Sequence, residues 1–304
     1  MSRFVAIDLA QLPPPQLIEE IAYEQILTEQ KAWVLARWAE LRLSRPDLPA
    51  IDTLVLETEP ITIILEVLAY RETLLRALVN DKARAVLLAK AVGTDLDHLG
   101  ALMETPRRQI GTDASGAAIY QSDDEYREEI QLAPEAFSVA GPEGAYVYFA
   151  RRSHPSLMDA AALSPVPGRV DVVVLARDGS GAPSEEAIAA AYSALSPNTT
   201  RPLTDDVYVR SASIVSTPVS LRLQVRSGPA PEAIQSAATT AIAKLIAARR
   251  RIGLALRVDA LIGAARTAGD IEKVIVESPA ADVEPGDYGV VYASPVMVTV
   301  EVTP

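Results

Sequence analysis

The sequence predicts a multidomain α+β protein: a helical N-terminal region followed by tandem small α+β modules of split βαβ type. Three observations carry this reading. Apolar residues in the first hundred positions recur at helical spacing. Two later segments, "VDVVVLARDGSGAPSEEAIAAAYSAL" and "VSLRLQVRSGPAPEAIQSAATTAIAKLI", share one plan of strand, Ser-Gly turn, proline, acid and alanine-rich helix. The tail "YGVVYASPVMVTVEVT" has strand composition and is expected to add edge strands. The boundaries drawn from these patterns are 1–103 for the helical region and 104–168 for a linker and mixed α/β module. A first βαβ-like module follows over 169–215, and a second over 216–304 carries the β-rich tail.

Within the helical region, "QLPPPQLIEEIAYEQILTEQKAWVLARWAELRL" opens on a proline stop and continues at helical period. A stronger signal starts at Thr58, with Pro60 suited to a first turn and Glu57 and Glu59 beside it. Ile61, Ile64, Leu65, Leu68, Leu75, Leu78 and Val79 then form one apolar stripe, with Glu66, Arg71, Arg76 and Lys82 assigned to the opposite side. Unbroken to Ala91, such a helix would be about 48 Å long. That outruns the core of a small domain, so the stripe is expected to meet helices of another chain; a self-packed hairpin is the alternative. Gly93 is placed as a left-handed C-terminal cap, and Thr94 or Asp95 as the cap of a short helix edged by Leu96, Leu99 and Leu102.

Downstream, "RRQIGTDASGAAIYQSDDE" reads as a loop. "DDEYREEIQLAPEAFSVAG" is helical up to Pro134, and "GPEGAYVYFARRSHPSL" starts another helix. "PGRVDVVVLARDG" is a strand ending in the Asp178-Gly179 turn. The first repeat continues into the strand "DDVYVRSAS", and the second into a helix and then a strand through "LRVDALIGAARTAGDIEKVIVES".

Composition narrows the function classes. The chain has 304 residues, 49% of them hydrophobic, enough for a substantial core; aromatics are only 5%, so aliphatic residues carry the burial. No cysteine is present, which removes disulfides, thiolate metal sites and cysteine nucleophiles together. The formal charge of −12 argues against general nucleic-acid binding. No apolar run reaches the roughly 20 residues of a membrane span, and the N-terminus lacks signal-peptide features. Arg249-Arg250-Arg251 sits where a helix is expected to end and complements its dipole.

Each candidate for chemistry is incomplete. Asp95, Asp97 and His98 cluster, but no second histidine or acid group completes a metal set, and helix termini account for them. Ser153-His154 lacks an oxyanion motif. Gly179-Ser180-Gly181 has neither the third glycine of a dinucleotide fingerprint nor a P-loop lysine, and reads as a tight turn. Asp123, Asp124, Glu125, Glu128 and Glu129 could suggest a glycosidase pair, but capping and the helix dipole explain acids at a helix start. No catalytic residue, cofactor or metal ligand is assigned, and the residues favour a structural or interaction protein.

The chain resembles the baseplate J-like assembly proteins of contractile-tailed bacteriophages and phage-tail-like bacteriocins. The likeness is carried by "IDLAQLPPPQLIEEI", by "LETEPITIILEVLAYRETLLRALVNDKARAVLLAKAVGTDLDHLGALM", by "DEYREEIQLAPEAFSVAGPEGAYVYFARRSHP" and by "LMDAAALSPVPGRVDVVVLARDGSG". The second βα unit, with "RRRIGLALRVDALIGAARTAGDIEKVIVESP", extends it. Ala69-Tyr70-Arg71-Glu72 and Asp95 to Gly100 are its anchors; Leu78 stands where the family pattern often has arginine, and residues 104–122 fit least well. The resemblance implies a structural baseplate wedge component that joins other wedge subunits and a second copy of itself, in a ring around the hub, in contact with hub and sheath proteins. It implies residence in the tail baseplate of a virion or particle, with assembly in the host bacterial cytoplasm. Ile61, Ile64, Leu65, Leu68, Leu75, Leu78 and Val79 are then the expected interface core. A baseplate-associated hydrolase and a receptor-binding tail protein are the alternatives.

Overall fold

The computed structural model describes residues 7, 9–13, 15, 22–138, 140–198, 200–226 and 231–303. The proline stop at the head of the first helical segment and the Ser-Gly-Pro turn of the second repeat fall largely outside these residues. The chain divides into two compact units, one spanning Ile7–Leu102 and the other running from Met103 onward.

The first unit is a helical hairpin with a short third helix: α1 (Tyr23–Ser44), α2 (Pro60–Ala85) and α3 (Gly93–Ala101). Pro60 opens α2, where its missing N–H costs nothing, and Lys82 and Arg84 occupy the last turn. The hairpin closes on a small core of Ile26, Leu27, Leu54, Leu65 and Ala69, with Tyr23, Val34 and Ile51 packed on it. Polar ties supplement it: Gln30 donates to Glu72 at 3.0 Å, and the Thr62 hydroxyl to the Leu54 carbonyl at 3.2 Å.

Two expectations for this unit need correction. α2 ends at Ala85 rather than Ala91, so it is about 39 Å long. From there Leu87 N–H bonds to the Arg84 carbonyl and Lys90 N–H to the Leu87 carbonyl, three residues back, which tightens the chain out of α-helical geometry. Gly93 does adopt a left-handed φ of 54°, but it opens α3 instead of closing α2, and no side chain caps that helix.

The second unit begins with a two-stranded ribbon, β1 (Gln109–Thr112) and β2 (Ala118–Tyr120), where the sequence suggests only a loop. The reason is local: the Asp113 carboxylate accepts from the Ser115 and Ala117 N–H groups at 2.8 and 2.9 Å and from the Ser115 hydroxyl, and so closes the turn. Next come α4 (Asp123–Leu132), capped by the Ser122 side chain, and α5 (Glu143–Arg152). They lead to β3 (Leu157–Leu163), β4 (Arg169–Ala176), α6 (Glu185–Leu195) and β5 (Asp206–Ser211). β4 lies between an antiparallel β3 and a parallel β5, so β4-α6-β5 is a βαβ unit. Pairing of β3 with β4 means the boundary drawn at 168/169 cuts through one sheet.

β4 is buried on both faces. Val172 and Val174 join α5 and α6 residues such as Tyr146, Ala187, Ala191 and Leu195. Val173 and Leu175 face the other way, onto Ile252 and Val290 of the C-terminal part. The sequence "VDVVVLA" therefore reads as a continuous apolar run, as a covered central strand should. Gly181, at φ 105°, turns the chain so closely under β4 that a Cβ there would lie 2.5 Å from Leu175 Cδ1.

The C-terminal part holds β6 (Ser213–Arg226), α7 (Pro231–Arg249), α8 (Val258–Arg266), β7 (Lys273–Ser278) and β8 (Gly289–Thr303), with strand order β7-β6-β8. Leu221, Leu223 and Val225 bury one face of β6 under α7 and α8; Ser220, Arg222 and Gln224 line the opposite, polar face with Glu277 and Glu301. The two repeats share strand and helix but diverge afterwards. β5 returns parallel to β4, whereas β7 returns antiparallel to β6, because two helices rather than one intervene.

One helix ties these parts together through charge. Glu129 of α4 is fully buried and accepts from Arg108 Nε at 3.0 Å, Gln121 Nε2 at 2.7 Å and Arg152 Nη1. Glu125 accepts from Arg177 Nη1 and Nη2, at 3.1 and 2.6 Å, and Glu128 from Arg251 Nη2 at 2.9 Å. Burial penalises the Glu125 charge, but the Arg177 hydrogen bonds, with the charges of Arg177, Arg151 and Arg108, hold its carboxyl below the usual range. Removing a buried carboxylate strands its arginines, so Glu129→Ala should cost about 3–5 kcal/mol in urea unfolding. Because its folded pKa is depressed, the Glu125 contribution is complete above the ordinary value of 4.5 and fades as pH falls through the lower folded value. Glu125→Gln should therefore flatten the loss of stability below that pH, measured by urea midpoints across an acid series.

Candidate interface on the N-terminal helix pair

The helix α2 carries apolar side chains almost all the way round. Its home face uses Thr62, Leu65, Ala69, Asn80 and Ala83, all buried and in one helical phase, with Leu65 and Ala69 packed on Ile26 and Leu27 of α1. These are mostly small residues, which let two helices approach closely. Arg76 lies on the same side, bonded to Glu72 at 2.6 Å, and its hydrogen bond, with that from Gln30, holds the Glu72 carboxyl below the usual range.

The outer face is different. Of the seven stripe residues picked from the sequence, Ile61, Ile64, Leu68, Leu75, Leu78 and Val79 are 38% to 62% exposed, while Leu65 is 6% exposed and belongs to the hairpin core. Leu65 is thus a correction: it has the right period but points home. Two overlapping stripes of the same period run along α2, and spacing alone does not say which faces α1. Arg71 and Lys82 are corrected too. At about 100° per residue they fall within the phase of Ile64, Leu75 and Leu78, so two cations punctuate the outer face.

A second flank is absent from the sequence-derived set. Ile63, Val67, Tyr70 and Leu74 recur at three- and four-residue spacing and are all exposed. α1 adds exposed Trp33 and Leu43. The signal was available: these residues make α2 apolar around most of its circumference, which is the pattern of a helix buried in a larger assembly. Contiguous exposed patches of this kind mark association sites.

Elsewhere, the residues weighed for chemistry are brought into structural contacts. The Ser153 hydroxyl donates to the Ala150 carbonyl at 2.8 Å, whereas His154 Nδ1 contacts the Ser156 hydroxyl at 2.7 Å, so the Ser153 hydroxyl is not paired with the His154 ring. The Gly179 carbonyl accepts from Arg250 Nη2 at 2.7 Å, as part of a turn. Glu125, Glu128 and Glu129 are engaged by arginines rather than serving only the helix dipole, and Arg250 and Arg251 reach across to β4 and α4 rather than back to α7. Among the described residues, no group of three or more His, Asp or Glu is placed to hold a metal ion, and no helix is long and apolar enough to cross a membrane.

An α+β unit with its own packed core and a helix pair with an uncovered apolar exterior mark a protein that associates with other chains. The comparisons say which kind. Residues 57–113 match the Baseplate J-like N-terminal domain, and residues 138–211 match the Baseplate J-like central domain. The chain is also similar to baseplate protein J of Escherichia phage P2, at 38% identity over 282 residues, covering 91% of this chain and 92% of that protein. The chain belongs to the baseplate J-like family. The first matched domain contains the whole of α2, the second all of β3, β4, α6 and β5.

The two faces of α2 should separate by mutation. In the isolated chain Leu65→Ala should destabilise the N-terminal hairpin by about 2–5 kcal/mol, as loss of a buried leucine does. Leu68→Ala, on the exposed side, should stay within about 0.5 kcal/mol. Thermal unfolding followed by circular dichroism would check the contrast.

Proposed function

We propose that this chain is a wedge subunit of a contractile-tail baseplate, in which the outer face of α2 seats helices of a neighbouring wedge subunit and of a second copy of the chain. As a member of the baseplate J-like family it is a structural component of a phage-type baseplate. The wedge role is the further step, and one observation carries it. Ile61, Ile64, Leu68, Leu75, Leu78 and Val79 stand uncovered on a helix whose other face is already packed against α1. Helix-in-groove association reads out just such anchors at three-, four- and seven-residue spacing.

The rest of the reading follows from this role. Wedges joined through α2 close into a ring around the hub, with hub and sheath proteins as further neighbours, and the chain resides in the tail baseplate after assembly in the host cytoplasm. Firing of such a tail reorganises contacts between subunits, which suits rigid α+β modules joined through separate helical contacts.

Co-expression with the adjacent wedge subunit, followed by mass measurement of the purified complex, tests the proposal. Leu68→Asp should abolish co-purification while leaving the far-ultraviolet spectrum and the unfolding of the second unit unchanged. Full recovery of the complex with that variant would remove α2 from the wedge contact.

A further inference from the structure

The outer face of α2 is divided by charge. On one flank Ile63, Val67, Tyr70 and Leu74 are exposed, and none of them ionises near neutral pH. On the other, Ile64, Leu75 and Leu78 are interspersed with Arg71 and Lys82, both exposed. These two cations are eleven residues apart in the chain. On a helix that places them about 16 Å apart along the axis and within about 20° of each other around it.

Their surroundings set them apart from the other charges of α2. Glu72 pairs with Arg76 at 2.6 Å, and Asp81 with Arg84 at 3.0 Å. Glu66 is half-buried and, at about 100° per residue, points away from both cations. No carboxylate among the described residues meets Arg71 or Lys82. In a chain of net charge −12, two unpaired cations on an apolar face are a local exception.

Resting on the wedge reading of α2, we infer that this flank seats an acidic helix of the non-identical wedge subunit. That helix is apolar on one side and carries carboxylates about three turns apart, opposite Arg71 and Lys82. Closing an apolar contact over Ile64, Leu75 and Leu78 draws both cations out of bulk water, where an unpaired charge is costly. Carboxylates opposite them remove that cost. The α2 of a second copy does not supply them. Laid parallel in register, it sets Arg71 on Arg71 and Lys82 on Lys82; laid antiparallel about their midpoint, it sets Arg71 on Lys82. Its acids are already held by Arg76 and Arg84 or turned away. Like charges in contact reject a partner, and opposite ones steer it and fix its register. The uncharged flank has no such bar, so the two neighbours of the proposed wedge have separate sides of α2.

The test measures Kd between the full chain and the adjacent wedge subunit by titration calorimetry. Arg71→Glu with Lys82→Glu should weaken the complex about tenfold or more. Arg71→Gln with Lys82→Gln should weaken it less, and should remove most of the rise in Kd that the unaltered chain shows as salt increases from about 0.05 to about 0.5 M. Thermal unfolding of each variant alone should match that of the unaltered chain. Carbodiimide, which joins a lysine to a carboxylate in contact, should link Lys82 to an Asp or Glu of that subunit, located by mass spectrometry. Binding that is equal or tighter with the two glutamines would overturn the inference and leave the cations reaching past the contact into water. Links from Lys82 to another copy of this chain, or a loss of stability in the variants alone, would overturn it too. Leu68→Asp keeps the two proposals apart. If it abolishes the complex while the charge variants bind normally, only the acidic partner is rejected. A complex indifferent to Leu68→Asp, or none with the unaltered chain, rejects both.

Discussion

The carboxylate of Glu129 is the constraint on which the second unit depends. It is sealed from water and satisfied by three side chains from two directions: Arg108 and Gln121, flanking the β1-β2 ribbon, and Arg152 at the end of α5. One turn earlier on α4, Glu125 reaches Arg177 beyond β4, and the adjacent Glu128 reaches Arg251 beyond α7. A short helix thereby connects the ribbon, the central sheet and the C-terminal part. Buried ion pairs seldom add much net stability, because desolvation offsets the attraction. They do make any other arrangement costly, since a slip would strand charge in an apolar interior. Their contribution is to fix one geometry.

Apolar packing completes that geometry. β4 is covered on one face by α5 and α6 and on the other by Ile252 and Val290, so the two sheets share a core instead of hanging from a linker. The Ile252 N–H donates to the buried Asp159 carboxylate at 2.9 Å, and Arg250 donates to the Arg177 carbonyl at 3.1 Å. The family resemblance and the tandem plan were both legible from residues. What the repeat pattern concealed is that the copies are welded together, and that the second reverses the direction of its returning strand.

Local signals were read well and long-range ones poorly, for a physical reason. Pro60, Ser122 and the turn at Asp178-Gly179 act on their immediate neighbours, so sequence spacing exposes them. The α4 acids look identical to dipole partners until Arg108, Arg152, Arg177 and Arg251 arrive from positions up to 123 residues away. A hint lay in the arginine doublets at 107–108, 151–152 and 250–251, which outnumber what helix ends require. On α2, periodicity found an apolar stripe but misassigned Leu65, Arg71 and Lys82, because a helix apolar on several sides offers more than one solution. Ile63, Val67, Tyr70 and Leu74 were overlooked for the same reason.

Only Ala212 separates β5 from β6, and its N–H is already bonded to the Val174 carbonyl at 3.0 Å. There is accordingly no slack between the two sheets. β6 runs alongside β8 in matched direction over most of its length. A tug along β8 therefore loads a row of hydrogen bonds together in shear, rather than peeling them one at a time. The path of such a load leads from β6 through Ala212 and its bond to the Val174 carbonyl into β4, where Val173 and Leu175 share a core with Ile252 and Val290.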